Sequence, residues 1–125
     1  MALKVRAARA GSPRQPGEGL RLGTVRLLPR GVRKQDYARL NYFDVWLPSL
    51  APSRQLLAQF KQAKLSLPTF FSRYRREMRQ TEPRQTIRLL AAIAERQPIS
   101  VCCYCEEERR CHRSVLLQLI RTARK

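Results

Sequence analysis

Helical periodicity over residues 53–96, set between two strand-like segments, limits the topologies open to this chain. The flanking segments are Tyr42 to Leu47, aromatic and β-branched, and Ile99 to Tyr104, a short apolar run after Pro98. Strands separated by so long a helical connection pair through a crossover, which favours a parallel or mixed sheet with helices on its faces. Ser53 stands as the N-cap of a first helix with Leu56, Leu57 and Phe60 on one face. A second helix is expected from Thr69 to Arg79, with Phe70, Phe71, Tyr74 and Met78 inward. The third runs from Pro83, suited to a first turn, to Arg96, and its stripe is Ile87, Leu90, Ala91 and Ala94.

The remaining elements fit the same architecture. Leu3 to Ala8 reads as a first strand, and the glycines and prolines of residues 11–19 mark a mobile loop. Arg21 to Leu28 reads as a second strand, stopped by the turn Pro29-Arg30-Gly31, with a short helix expected from Arg33 to Leu40. After the strand Ile99 to Tyr104 come a polar loop, Glu106 to Arg110, and a last helix from Cys111 to about Ala123. At 125 residues and 43% hydrophobic content, the expectation is one α/β domain spanning residues 1–125. It is a three-layer domain with a small parallel or mixed sheet of about four strands flanked by helices, and ligands belong beyond the carboxyl ends of those strands.

Charge restricts the partners. Twenty-six basic residues against nine acidic ones give a net charge of +17, and most of the basic residues are arginines. Guanidinium groups pair bidentately with phosphate, so nucleic acid or a phosphorylated small molecule is the expected partner; a merely solvated basic surface is the competing reading. No run approaches the length of a membrane span and no signal-peptide core is present, which argues for a soluble protein with no membrane partner. The four cysteines all fall between Cys102 and Cys111, too close together for a secreted disulfide framework, and a reducing cytoplasm suits them.

The segment from Cys102 to Arg113 carries the densest chemistry. Strand alternation puts Cys103 and Cys105 on one face and Cys102 on the other, while Cys111 and His112 fall at a helix start, where backbone N–H groups favour anions and thiolates. A zinc site of Cys103, Cys105, Cys111 and His112 has suitable ligand types, but the Cys-x-Cys and Cys-His spacings match no common pattern, so no tightly bound metal and no cofactor is expected. A phosphatase-like reading of Cys103 to Arg109 is disfavoured by the three glutamates in that loop. In the remaining chemical reading, Cys103, Cys111, His112 and Arg113 are the candidate catalytic residues of an anion or nucleotide pocket, with Cys111 the most reactive thiol if exposed. Against it stands simple packing, in which the cysteines are small buried hydrophobes and His112 a structural hydrogen-bonding group.

A second basic segment lies at the end of the second expected strand, where Arg26, Arg30, Arg33 and Lys34 are candidate anion-binding residues together with Arg113. The expectation is that Arg30 and Arg113 face one cleft. Non-catalytic nucleic-acid binding through the arginine surface is the alternative function.

These motifs resemble the YeaO-like proteins of domain-of-unknown-function family 488. The resemblance rests on Arg26 followed by Pro29-Arg30-Gly31-Val32 and Lys34, on Leu50-Ala51-Pro52-Ser53, on Phe71, Tyr74 and Glu77 as a Phe-x-x-Tyr-x-x-Glu helix, and on Cys103 with Cys111-His112-Arg113. It runs from about Leu20 to the end of the chain. Leu28 stands where the YeaO branch usually has Trp, and that branch usually lacks the Cys-His-Arg ending, so the chain looks intermediate between branches. The resemblance implies a compact α/β fold of Rossmann-like character and brings no established activity, substrate or cofactor.

Overall fold

The computed structural model describes residues 3–123. Four strands, β1 (Val5–Arg9), β2 (Leu20–Gly23), β3 (Val45–Trp46) and β4 (Ile99–Cys103), form one sheet in the order β1-β4-β2-β3, with every neighbouring pair parallel. Helices α1 (Arg54–Lys61), α2 (Leu67–Met78) and α3 (Thr81–Ala94) fill the crossover from β3 to β4, and α4 (His112–Thr122) follows β4. This is the small α/β layout that the long helical connection requires. Among the described residues no helix is long and apolar enough to cross a membrane.

Strand alternation divides the sheet into two environments. Val5, Leu22, Ile99 and Val101 point to the helices and pack with Leu56, Phe70, Tyr74, Leu90, Leu116 and Ile120 in the main core. Every residue of β4 is buried, as expected of a central parallel strand. On the opposite face the cover is irregular chain. Ser100 Oγ donates to the Glu18 carbonyl at 2.8 Å, and the fully buried Arg21 lies beneath residues 11–19. Gly19 sustains this approach: at φ +70° it lies so close to the Pro98 carbonyl that no Cβ would fit.

Several boundaries differ from the sequence-based expectation, for local reasons. The second strand ends at Gly23 rather than Leu28, because its partners end there: β3 has only two residues, and beyond Gly23 it is Thr24 that still reaches β4, its N–H and Oγ1 both donating to the Cys102 carbonyl at 3.0 Å. Val25 instead gives its carbonyl to Trp46 Nε1 at 2.8 Å. The helix expected from Arg33 to Leu40 is a single 3-10 turn, Lys34–Asp36, and Asn41 leaves it at φ 65°. The third strand shrinks from 42–47 to Val45–Trp46 because Phe43 turns into a small second core with Val25, Cys103 and Cys111. The second helix starts earlier than Thr69, at Leu67, since Ser66 accepts from Thr69 N–H and caps it.

Candidate functional site

The carboxyl ends of β2 and β4, adjacent and parallel, open into a cleft of about 300 Å³. Its walls come from the residues that leave the two strands, Val25-Arg26-Leu27 and Cys103-Tyr104-Cys105, from Leu57, Phe60 and Lys61 of α1, and from Arg110, Cys111 and His112. Apolar side chains make most of the lining, three cations join them, and no carboxylate does. A larger depression next to it, also bordered by Arg26, is lined by Glu77 and Glu82 and by none of the cysteines.

Hydrogen bonds from α2 fix the outer wall. Tyr74 Oη donates to the Leu50 carbonyl at 2.6 Å, and Glu77 accepts from Ser53 N–H at 2.8 Å and Ser53 Oγ at 2.6 Å. Arg26 donates from Nε to the Pro52 carbonyl and from Nη2 to the Ala51 carbonyl. The Leu-Ala-Pro-Ser, Tyr-x-x-Glu and Arg26 motifs are thus one bonded frame, and spacing alone gave no sign of this pairing.

At the inner end lies the thiol and imidazole cluster. A 3-10 turn, Glu108–Arg110, folds the chain back so that Cys111, at the start of α4, meets the end of β4. The donor atoms of Cys103, Cys111 and His112 lie within 4.8 Å of one another, and Cys103 Sγ is 3.8 Å from Cys105 Sγ. The turn thus brings three of the four residues together, a proximity that no linear pattern encodes, while Cys105 stays outside that 4.8 Å group. His112 Nε2 is 2.7 Å from the Thr24 carbonyl, and the ring meets Tyr74 edge-on at 5.3 Å. Burial pushes the imidazole down to about 4.

The thiols are not equivalent. Cys111 is 1% exposed, and its hydrogen bonds with Cys103 and Cys105, together with burial, push it far up. Cys105 is exposed and is held well below the ordinary thiol range by the hydrogen bonds it accepts from Cys103 and Cys111. Burial pushes Cys102, on the opposite sheet face, up to about 12. The accessible, thiolate-forming cysteine is Cys105; Cys111 does not meet the condition of exposure on which its expected reactivity depends, since a helix start favours thiolate only if burial does not first forbid it.

The basic candidates separate. Arg26 lines the cleft; Arg30 lines a neighbouring depression that shares Leu27 and Tyr104; Arg33 is exposed and pairs with Asp36 at 3.1 Å; Lys34 is exposed on the same turn. Arg113 does not share a cleft with Arg30. It is 3% exposed, and its Nη1 donates inward to the carbonyls of Cys103 at 3.2 Å and Cys105 at 2.9 Å. The physical reason is that the chain turns away after Cys103, whose carbonyl accepts from Ala10 N–H at 2.8 Å and has a lone pair to spare, while Cys105 lies beyond the strand; a long donor at the start of α4 reaches both carbonyls. Lys61 and Arg110, passed over in the sequence because each stands in an ordinary basic stretch, occupy the cleft instead.

The family model described as the active DUF488-N3 subclade, DUF488-N3a, matches residues 5–124. The chain is similar to the uncharacterized protein YeaO of Escherichia coli (strain K12), 29% identical over 120 residues that cover 96% of this chain and 99% of that protein. It is also similar to the uncharacterized protein Rv3073c of Mycobacterium tuberculosis (strain ATCC 25618 / H37Rv), 27% identical over 117 residues, 94% of this chain and 93% of that protein. No solved structure matches.

Proposed function

This chain belongs to DUF488-N3a, the active DUF488-N3 subclade, and we propose that it binds the phosphate of a nucleotide or nucleic acid in the cleft between β2 and β4, in the cytoplasm. The observation that carries this reading is the lining: Arg26, Lys61 and Arg110 surround an apolar floor that includes Leu57, Phe60 and Phe70, with no carboxylate among them. Cations placed against a low-dielectric wall attract an anion more strongly than the same cations in water. A flat apolar group such as a nucleobase matches the floor, and a volume of about 300 Å³ suits a small ligand or one nucleotide unit of a strand. Arg113 is a positioning residue in this reading, holding the turn that carries Cys105 through the two carbonyls it binds.

Titration with a fluorescent mononucleotide tests it. Arg110→Ala and Arg26→Ala should each weaken binding about 10-fold or more, as loss of a charge-assisted contact does. Unchanged affinity in both variants, with losses spread instead over exposed Arg73, Arg75, Arg76 and Arg84, would replace the cleft by non-catalytic binding to an arginine surface.

A further inference from the structure

We propose that Cys103, Cys105, Cys111 and His112 form a zinc site at the inner end of the cleft. The distances fit. A tetrahedral zinc with bonds of about 2.3 Å to sulfur and about 2.0 Å to nitrogen requires S···S edges of about 3.8 Å and S···N edges of about 3.6 Å. Cys103 Sγ lies 3.8 Å from Cys105 Sγ, and Cys111 Sγ lies 3.6 Å from His112 Nδ1. Cys103, Cys111 and His112, all buried, hold their donor atoms within one 4.8 Å group, so three ligands are in place; the exposed Cys105, 3.8 Å from Cys103 Sγ but outside that group, would swing in from the solvent side as the fourth.

The tautomer of His112 is set for coordination. A carbonyl oxygen can only accept, so the 2.7 Å contact from Nε2 to the Thr24 carbonyl places the ring proton on Nε2. Nδ1 is then a bare lone pair beside Cys111 Sγ, the arrangement of metal-bound histidines, whose second nitrogen is anchored to a backbone carbonyl or carboxylate.

Charge points the same way. Arg113 is a buried cation, and among the described residues no carboxylate pairs with it; Cys111 Sγ is 4.0 Å from its Nη1. Buried charges are normally paired. Zinc loading releases the thiol protons of Cys103 and Cys111 to solvent, Cys105 already being a thiolate, while the neutral imidazole donates its lone pair, leaving a Zn(Cys)3(His) group of net charge −1. That charge and the Arg113 guanidinium sum to zero. Thiolates with an imidazole select zinc over the oxygen-seeking magnesium and calcium ions. This inference does not rest on the phosphate reading, because zinc binding is read without any nucleotide.

The test is metal analysis of full-length protein purified under reducing conditions without chelator, followed by cobalt substitution. We expect one zinc per chain, and cobalt spectra with the strong visible bands of a tetrahedral site and near-ultraviolet thiolate-to-cobalt bands. Cys111→Ser should abolish loading. Because that residue is buried, Cys105→Ser, at an exposed position, supplies the second variant, with circular dichroism as the check that it is folded. Cys105→Ser should retain zinc but lose at least about tenfold in affinity against a competing chelator, since losing a ligand costs no less than losing an outer-shell partner. Its thiolate-to-cobalt bands should fall by about a third, as three sulfur ligands become two. Wild-type protein that takes up neither zinc nor cobalt when reduced overturns the proposal. Affinity and spectra unaltered by Cys105→Ser would remove Cys105 from the ligand set and overturn the four-ligand site.

Discussion

Among the described residues one arginine is buried on each face of the sheet, and the two are satisfied to different degrees. Arg21, 0% exposed, has a bidentate carboxylate partner in Glu18, at 2.8 and 3.1 Å, and also donates to the carbonyls of Arg9, Ser12, Pro13 and Asn41 and to Ser12 Oγ. Arg113, 3% exposed, donates to two carbonyls, has a sulfur at 4.0 Å, leaves its Nε unpartnered and meets no carboxylate among the described residues. The first is a closed knot that ties residues 11–19 to the sheet. The second sits beside two thiols and an imidazole whose donor atoms lie within 4.8 Å of one another, with Cys105 next to them. A fully satisfied polar network specifies structure; an incompletely satisfied one next to a cleft is a place where a ligand completes the charge balance.

That contrast is broken most severely by removing the guanidinium groups. Arg21→Met strands the buried Glu18 carboxylate and should cost about 3–5 kcal/mol in urea unfolding. In metal-free protein Arg113→Met should cost only about 1–2 kcal/mol, the loss of its hydrogen bonds being offset by removal of an unpaired buried charge. Equal losses in the two variants would erase the distinction.

Acid should unpick the knot by a smaller amount. The hydrogen bond from Arg21 holds Glu18 below its ordinary value of 4.5, against an opposing burial effect, so the folded state binds fewer protons than the unfolded state in that range. The contribution of Glu18 is therefore present above pH 4.5 and is lost as pH falls through its depressed folded value. Glu18→Gln should flatten that acid limb in a pH series of unfolding midpoints, and an unchanged limb would detach Glu18 from acid stability.

Thiol labelling should leave stability least affected and sharpen the other half of the contrast. With limiting iodoacetamide and a chelator present, Cys105 should be modified first across the pH series and Cys111 last, read by peptide mass. Preferential modification of Cys111 would restore the helix-start argument and contradict the burial seen here.

Regular structure was readable from the sequence where periodicity is long. Ser53 caps α1 by accepting from Leu56 N–H at 3.1 Å, and the stripe of Ile87, Leu90, Ala91 and Ala94 is buried as its spacing requires. Elements whose length depends on partners are not readable: Val25 to Leu28 has strand composition but lies beyond the residues that β3 and β4 pair with. The cluster of cysteines and His112 was visible as a set, yet its closure depends on the turn Glu108–Arg110, which brings Cys111 back to Cys103. Arg21 carried a usable signal that composition hides, an acidic residue three positions earlier beside Gly19, where the chain turns at positive φ. Arg113 is not placed by the sequence, because a polar helix start suggests a ligand-facing side chain, whereas the carbonyls of Cys103 and Cys105 at the turn after β4 draw it inward.

Amide chemical-shift mapping during a mononucleotide titration tests the division between knot and cleft most directly. Shifts should concentrate in residues 25–27, 57–61 and 103–112, while residues 12–21 stay in place. Shifts centred on the knot, or scattered over the exposed arginines of α2 and α3 with the cleft silent, would contradict it.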